Sequence, residues 1–115
     1  MSSFSFETVD PLFNTVYLVP EVTSHIIENH PELEGYTATI KETVEDPDYI
    51  CKDKNFPDKH NYYKKHNDQE LEPYGGEMMK VNVARGAGGR ISTAFIVARV
   101  HPDDIVFYPM STNDL

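Results

Sequence analysis

Five histidines, one cysteine and nineteen acidic residues are the groups from which this 115-residue chain would have to build acid, base or metal chemistry. The close grouping is His25-Ile-Ile-Glu-Asn-His30-Pro31-Glu32. An imidazole changes protonation near neutral pH, so a pair beside a carboxylate is a candidate for general acid and base work. On a helix, Glu21 and His25 lie four apart and can touch. His25 and His30 lie five apart, about 140° around the helix axis, and would not chelate one metal as a four-residue spacing would. Cys51, His60, His66 and His101 show none of the usual ligand spacings, so neither a metal nor a cofactor is expected. Gly86-Ala-Gly-Gly89 lacks the Gly-Lys-Ser/Thr ending of a phosphate loop and reads as part of a hairpin turn. Nothing around Cys51 matches a nucleophile signature.

Charge narrows the partners. The formal net charge of −9 argues against a protein that holds nucleic acid over its whole surface, because that mode needs basic residues to displace counterions. The average hides a division: residues 1–58 carry 3 Lys+Arg against 12 Asp+Glu, and residues 59–100 carry 7 against 4. The basic block, from Lys59 through Lys64, Lys65, Lys80, Arg85 and Arg90 to Arg99, is where a polyanion contact would lie, with Arg85 and Arg90 as substrate-binding candidates. The plainer reading of that block is a mixed, solvated surface.

These groups must be positioned by one small domain spanning 1–115, since the length leaves no room for two. No apolar run approaches a bilayer span, and Met1 to Glu7 lacks the basic start and apolar block of a signal peptide, so a cytoplasmic protein without a membrane contact is expected. Phe4 to Val9 alternates with period two and Thr15 to Val19 is rich in strand formers, with Asp10-Pro11 turning between them. Residues 1–14 are thus an N-terminal extension or an edge strand. Pro20 suits a first helical position, and Val22, Ile26 and Ile27 form an apolar stripe that stops at His30-Pro31. After Gly35, the spacing of Tyr36, Ile40 and Val44 predicts a second helix, ended by Asp46-Pro47. Residues 48–52, 60–66, 77–84 and 91–98 read as strands joined by short connections, which favour an antiparallel meander. The fold class is α+β, with two N-terminal helices packed on an antiparallel sheet of four to five strands.

The order of four motifs resembles the phage and toxin branches of the barnase, EndoU, colicin and RelE-like ribonuclease superfamily. They are His25 to Glu32 on a helix, Glu45 to Ile50 after the second helix, Tyr62-Tyr63-Lys64 on a strand and Ser92-Thr93-Ala94-Phe95 on the last strand. The resemblance covers about residues 16 to 98 and rests on motif order. It implies a metal-independent endoribonuclease in which the RNA 2′-hydroxyl attacks the adjacent phosphate, with an immunity or antitoxin protein as a further partner. Carried over by motif, His30 is the leading acid or base and His25 its alternative or helper. Lys64 and Thr93 would face phosphate, and Tyr63 would stack a base or donate a hydrogen bond.

Each of these residues has a plainer role. His30 suits a helix C-terminus, where an imidazole can meet the terminal carbonyls. Tyr62 and Tyr63 point to opposite faces of a strand, so one belongs to the core; Lys64 can be a solubilising strand residue, and Thr93 is a good strand former. The strongly negative charge departs from a nuclease, and it opens a second class of function: an inactive acidic binding module, such as an inhibitor or nucleic-acid mimic acting on a basic protein.

Overall fold

The computed structural model describes residues 5–67, 73, 76–98 and 105–107. Phe4, Arg99, His101 and the acidic residues Asp68, Glu70 and Glu72 lie outside them.

Local signals lay out the first half. Strands β1 (Phe6–Val9) and β2 (Thr15–Leu18) form a hairpin whose turn is closed by Asp10, which accepts backbone N–H bonds from Leu12 and Asn14 at 2.9 and 2.8 Å. Helix α1 (Pro20–Asn29) starts with Pro20 in its first turn, where the missing N–H costs nothing, and Glu21 beside it complements the dipole. His30 is its C-cap, and Pro31 starts a 3-10 turn, Pro31–Leu33. Helix α2 (Thr37–Glu45) ends before Asp46-Pro47, as the periodicity predicts. Among the described residues no helix is long and apolar enough to cross a membrane.

The second half supplies β3 (Tyr49–Lys52), β4 (Lys59–Lys65), β5 (Met78–Ala84), β6 (Arg90–Val97) and β7 (Ile105–Phe107). The sheet order is β1-β2-β6-β5-β4-β3-β7. Its centre, β3 to β6, is the expected antiparallel meander. The whole differs from four to five antiparallel strands in two respects. Seven strands join, because the β1–β2 hairpin and β7 add to opposite edges. The sheet is also mixed, since β2 runs parallel to β6 through the Tyr17–Arg90 register. That junction needs a glycine: Gly89 has φ +94°, its carbonyl accepts the Tyr17 N–H at 3.0 Å, and a Cβ there would lie 1.9 Å from the Thr15 carbonyl oxygen. The two helices also follow two strands in the chain and do not precede the whole sheet.

The core lies between the helices and one face of the sheet. Ile26, Leu33, Ile40 and Val44 pack against Val16, Leu18, Ile50, Tyr62, Met79, Val81, Val83, Ile91, Ala94 and Ile96. Each fully buried aliphatic side chain contributes roughly 1.5–3 kcal/mol. The sheet curls around this core. Asp10, just past β1, accepts the Tyr62 hydroxyl of β4, although strands four places apart in a flat sheet would be separated by about 19 Å. The helix-covered face is therefore the inner one. The outer face carries the alternate residues of β3 to β6.

Candidate functional site

Strand register decides which side chains share the outer face, because alternate residues point oppositely. One row runs across the strands as Cys51, Asn61, Asn82 and Thr93, and the next as Tyr49, Tyr63, Lys80 and Phe95. Beyond the first row lie Lys59, Ala84 and Arg90. A bulge places Thr93 here. Ile91 pairs with Val83 and Thr93 with Asn82, so Ser92 is an extra residue and both Ile91 and Ala94 can face the core.

His30 reaches this face from the side. Its backbone N–H caps α1 by donating to the Ile26 carbonyl at 2.7 Å, and its half-buried ring stacks on Phe95, with centroids 5.5 Å apart and planes 19° from parallel. Nδ1 lies 4.0 Å from a Glu32 carboxylate oxygen. The Lys80 ammonium sits over Phe95 at 5.2 Å and over Tyr63 at 5.7 Å. Stacked imidazole, aromatic ring and ammonium thus follow one another across the second row. Tyr63 is packed beneath Lys80 with Cys51 and Met78, and burial together with the neighbouring Cys51 and Asp53 pushes its phenol up to about 12, so it stays protonated and keeps an O–H to donate in the physiological range.

At the end of β3, Asp53 orders the first row. Its Oδ2 accepts the side-chain amides of Asn61 at 3.3 Å and Asn82 at 3.4 Å, and Asn82 Nδ2 also donates to Asn61 Oδ1 at 2.6 Å. Its Oδ1 accepts the backbone N–H groups of Asn55 and Phe56 at 2.9 and 3.1 Å. Burial pushes the Asp53 carboxyl up, but the donors from Asn55, Asn61 and Phe56 and the charge of Lys80 outweigh it, and the net direction is down. Asp53 is therefore a fixed anion that orients two amides. Among the described residues of these rows, the Asp53 carboxylate stands with Lys59, Lys80 and Arg90, while Glu32 lies beside His30 and Glu77 pairs with Lys65, so cations are in modest excess here on a chain of net charge −9.

Of the residues singled out from the sequence, His30, Thr93, Tyr63 and Arg90 share this outer side, and the other three do not. His25 is exposed on α1, where its Nε2 accepts the Asn29 side-chain amide at 3.0 Å. Lys64 is on the inner face of β4 in register with Met79, and its ammonium donates to the Asp46 carbonyl at 2.9 Å and carboxylate at 3.2 Å. A cation there satisfies the C-terminal end of α2. Lys64 also borders a cleft of about 360 Å³ with Tyr36, Thr39, Glu42 and Thr43. Lys64 and Thr93 thus lie on opposite sides of the sheet.

Arg85 likewise belongs to the inner side. It pairs with the fully buried Asp10 carboxylate at 2.7 Å and donates through Nε to His60 Nδ1 at 3.2 Å and through Nη1 to the Thr15 carbonyl at 3.2 Å. Burial lowers its pKa while Asp10 opposes that shift. This is a buried cross-link between the β1–β2 turn and the central strands. No sequence signal assigns a role to Asn61, Asn82 or Asp53; Phe95 enters only as the end of the Ser92 to Phe95 motif and Lys80 only within the basic block. The signal available for Lys80 was the strand alternation that puts it two residues from Asn82.

Among the described residues, no three His, Cys, Asp or Glu side chains converge in a way that could hold a metal ion. Comparison with protein-family models, with curated proteins and with solved structures finds no match to this chain.

Proposed function

We propose that this protein is a metal-independent endoribonuclease whose working surface is the outer face of β4 to β6. One observation carries the reading: the His30 imidazole and the Lys80 ammonium both lie against the Phe95 ring, and Thr93 stands two residues away along β6 on the same face of an acidic chain. Cleavage by 2′-hydroxyl attack forms a bond from O2′ to phosphorus and breaks the bond to O5′. One proton leaves O2′ and one arrives at O5′. His30 is the group that moves a proton at this exposed face, exchanging the other with solvent. Lys80 offsets the charge that builds on the phosphate oxygens, and Thr93 donates to them. Lys80 thereby takes the place that the motif resemblance assigned to Lys64.

The test is incubation of the purified protein with mixed RNA in excess chelator, with the ends of the products analysed. Cyclic phosphate or 3′-phosphate ends are expected, and activity that requires added divalent metal would sink the mechanism. His30→Gln should lower the rate by about two to four orders of magnitude with little change in melting temperature. Lys80→Met should lower it as well, whereas Lys64→Met should leave it near the parental value.

A second reading rests on a different observation. Residues 20–46, the helical layer, hold seven Asp and Glu against Lys41 alone. That layer suits a basic protein partner, and a chain that binds one there while cleaving no RNA would be the acidic binding module.

A further inference from the structure

We infer that Phe56 and Lys59 form a second nucleotide subsite of the proposed RNA-cleaving face, one that stacks a base of a single-stranded RNA at a distance from the scissile phosphate. The inference rests on the reading of the outer face as an RNA surface. Phe56 is 55% exposed, in a short loop between β3 and β4 and outside the hydrophobic core. The loop holds it in place. Asp53 Oδ1 accepts the Phe56 N–H, the Phe56 carbonyl accepts the Lys59 N–H at 2.9 Å, and Asp53 N–H donates to the Lys59 carbonyl at 2.9 Å. The Lys59 ammonium stands 4.9 Å from the centre of the Phe56 ring. An exposed ring with a cation against it is the pairing that receives a base and its phosphate, since stacking is tolerant of base identity and the charge complements the backbone.

Position sets the register of the ligand. Lys59 pairs with Ala84, four residues along β5 from Lys80, which is about 13 Å at the usual rise per residue. That span exceeds one nucleotide, so the base on Phe56 is not the one beside His30. Between the two ends lie the Asn61 and Asn82 amides and Thr93. The face therefore needs a substrate longer than a dinucleotide to be filled from the Phe95–Lys80 end to the Phe56–Lys59 end.

The experiment measures binding of non-cleavable 2′-O-methyl oligonucleotides, a dinucleotide and a tetranucleotide, by fluorescence anisotropy. Phe56→Ala should weaken the tetranucleotide about ten-fold, consistent with loss of one stacked base, and leave the dinucleotide unchanged. Phe56→Trp should restore the tetranucleotide affinity. Lys59→Gln should reduce the slope of log affinity against log salt by about one. Because Phe56 is exposed, the variants should melt with the parent.

Equal tetranucleotide binding by the parent and Phe56→Ala overturns the subsite while leaving any RNA cleavage intact. Phe56-dependent binding by a protein that cleaves no RNA supports the subsite and removes the nuclease. Binding of neither oligonucleotide by the parent overturns both. Phe56-dependent binding to phosphatidylserine vesicles without oligonucleotide binding overturns the subsite in favour of a membrane contact.

Discussion

Replacing Arg85 with Met tests whether the Asp10 cross-link holds the curled sheet together. The Asp10 side chain has 0% exposure and Arg85 18%, so removing the guanidinium strands a carboxylate in the interior. Breaking a buried pair in this way costs about 3–5 kcal/mol. Asp10 retains the Tyr62 hydroxyl, the N–H groups of Leu12 and Asn14 and the Asn14 amide, which places the cost near the lower end, about 3 kcal/mol. Against a total stability of roughly 5–15 kcal/mol for a domain of this size, that is a large fraction. With about 2.1 cal/mol/K of unfolding entropy per residue, it lowers the melting temperature by about 12 °C. The assay is urea and thermal unfolding followed by circular dichroism, for the parent, Arg85→Met, Asp10→Asn and the double variant. The amide of Asp10→Asn keeps an oxygen for the turn N–H groups and removes the charge, so the double variant should be more stable than the two single losses added, by at least 1 kcal/mol. A loss under 1 kcal/mol for Arg85→Met, or strict additivity in the cycle, would refute the argument.

Two further outcomes follow from the same interior. Burial first, then the charges of Arg85 and Lys52, lower the His60 pKa below its ordinary 6.5 against the opposing pull of Asp10. As pH falls through about 6.5, the unfolded chain takes up a proton that the folded one refuses, so stability declines in that window. His60→Gln, which keeps an acceptor for Arg85, should show a shallower decline in urea midpoint between about pH 7 and pH 5; Asp53, whose lowered pKa costs stability only below about 3.8, does not act there. At the parallel junction, Gly88→Ala at φ +75° meets no atom within 4 Å and should cost about 1–2 kcal/mol, whereas Gly89→Ala, with its Cβ 1.9 Å from the Thr15 oxygen, should cost more than about 4 kcal/mol. Equal urea midpoints for the two variants would show that β2 does not approach Gly89 so closely.

What the sequence determined by itself was whatever nearest neighbours decide. Pro20 and the His30-Pro31 step bound α1, Asp46-Pro47 ends α2, and the period-two pattern from Phe4 to Val9 marks β1, because backbone sterics and local hydrogen bonding act over a few residues. The pairing of β2 with β6 was not legible, since it depends on a glycine meeting a carbonyl more than seventy residues away in the chain. Nor was the facing of β4. Tyr62 and Tyr63 are both buried, one in the core and one under Lys80, so hydrophobicity alone does not say which of them, or which of Lys64 and Lys80, belongs to the outer face. The register of β4 on β5 makes that choice, and with it sends Lys64 to the end of α2 and Lys80 to the side of His30. A bulge at Ser92 then flips the phase of β6 and delivers Thr93 to the same face. A one-residue shift exchanges the two faces of a strand at no local cost, and only packing against the rest of the sheet and the helices selects between them.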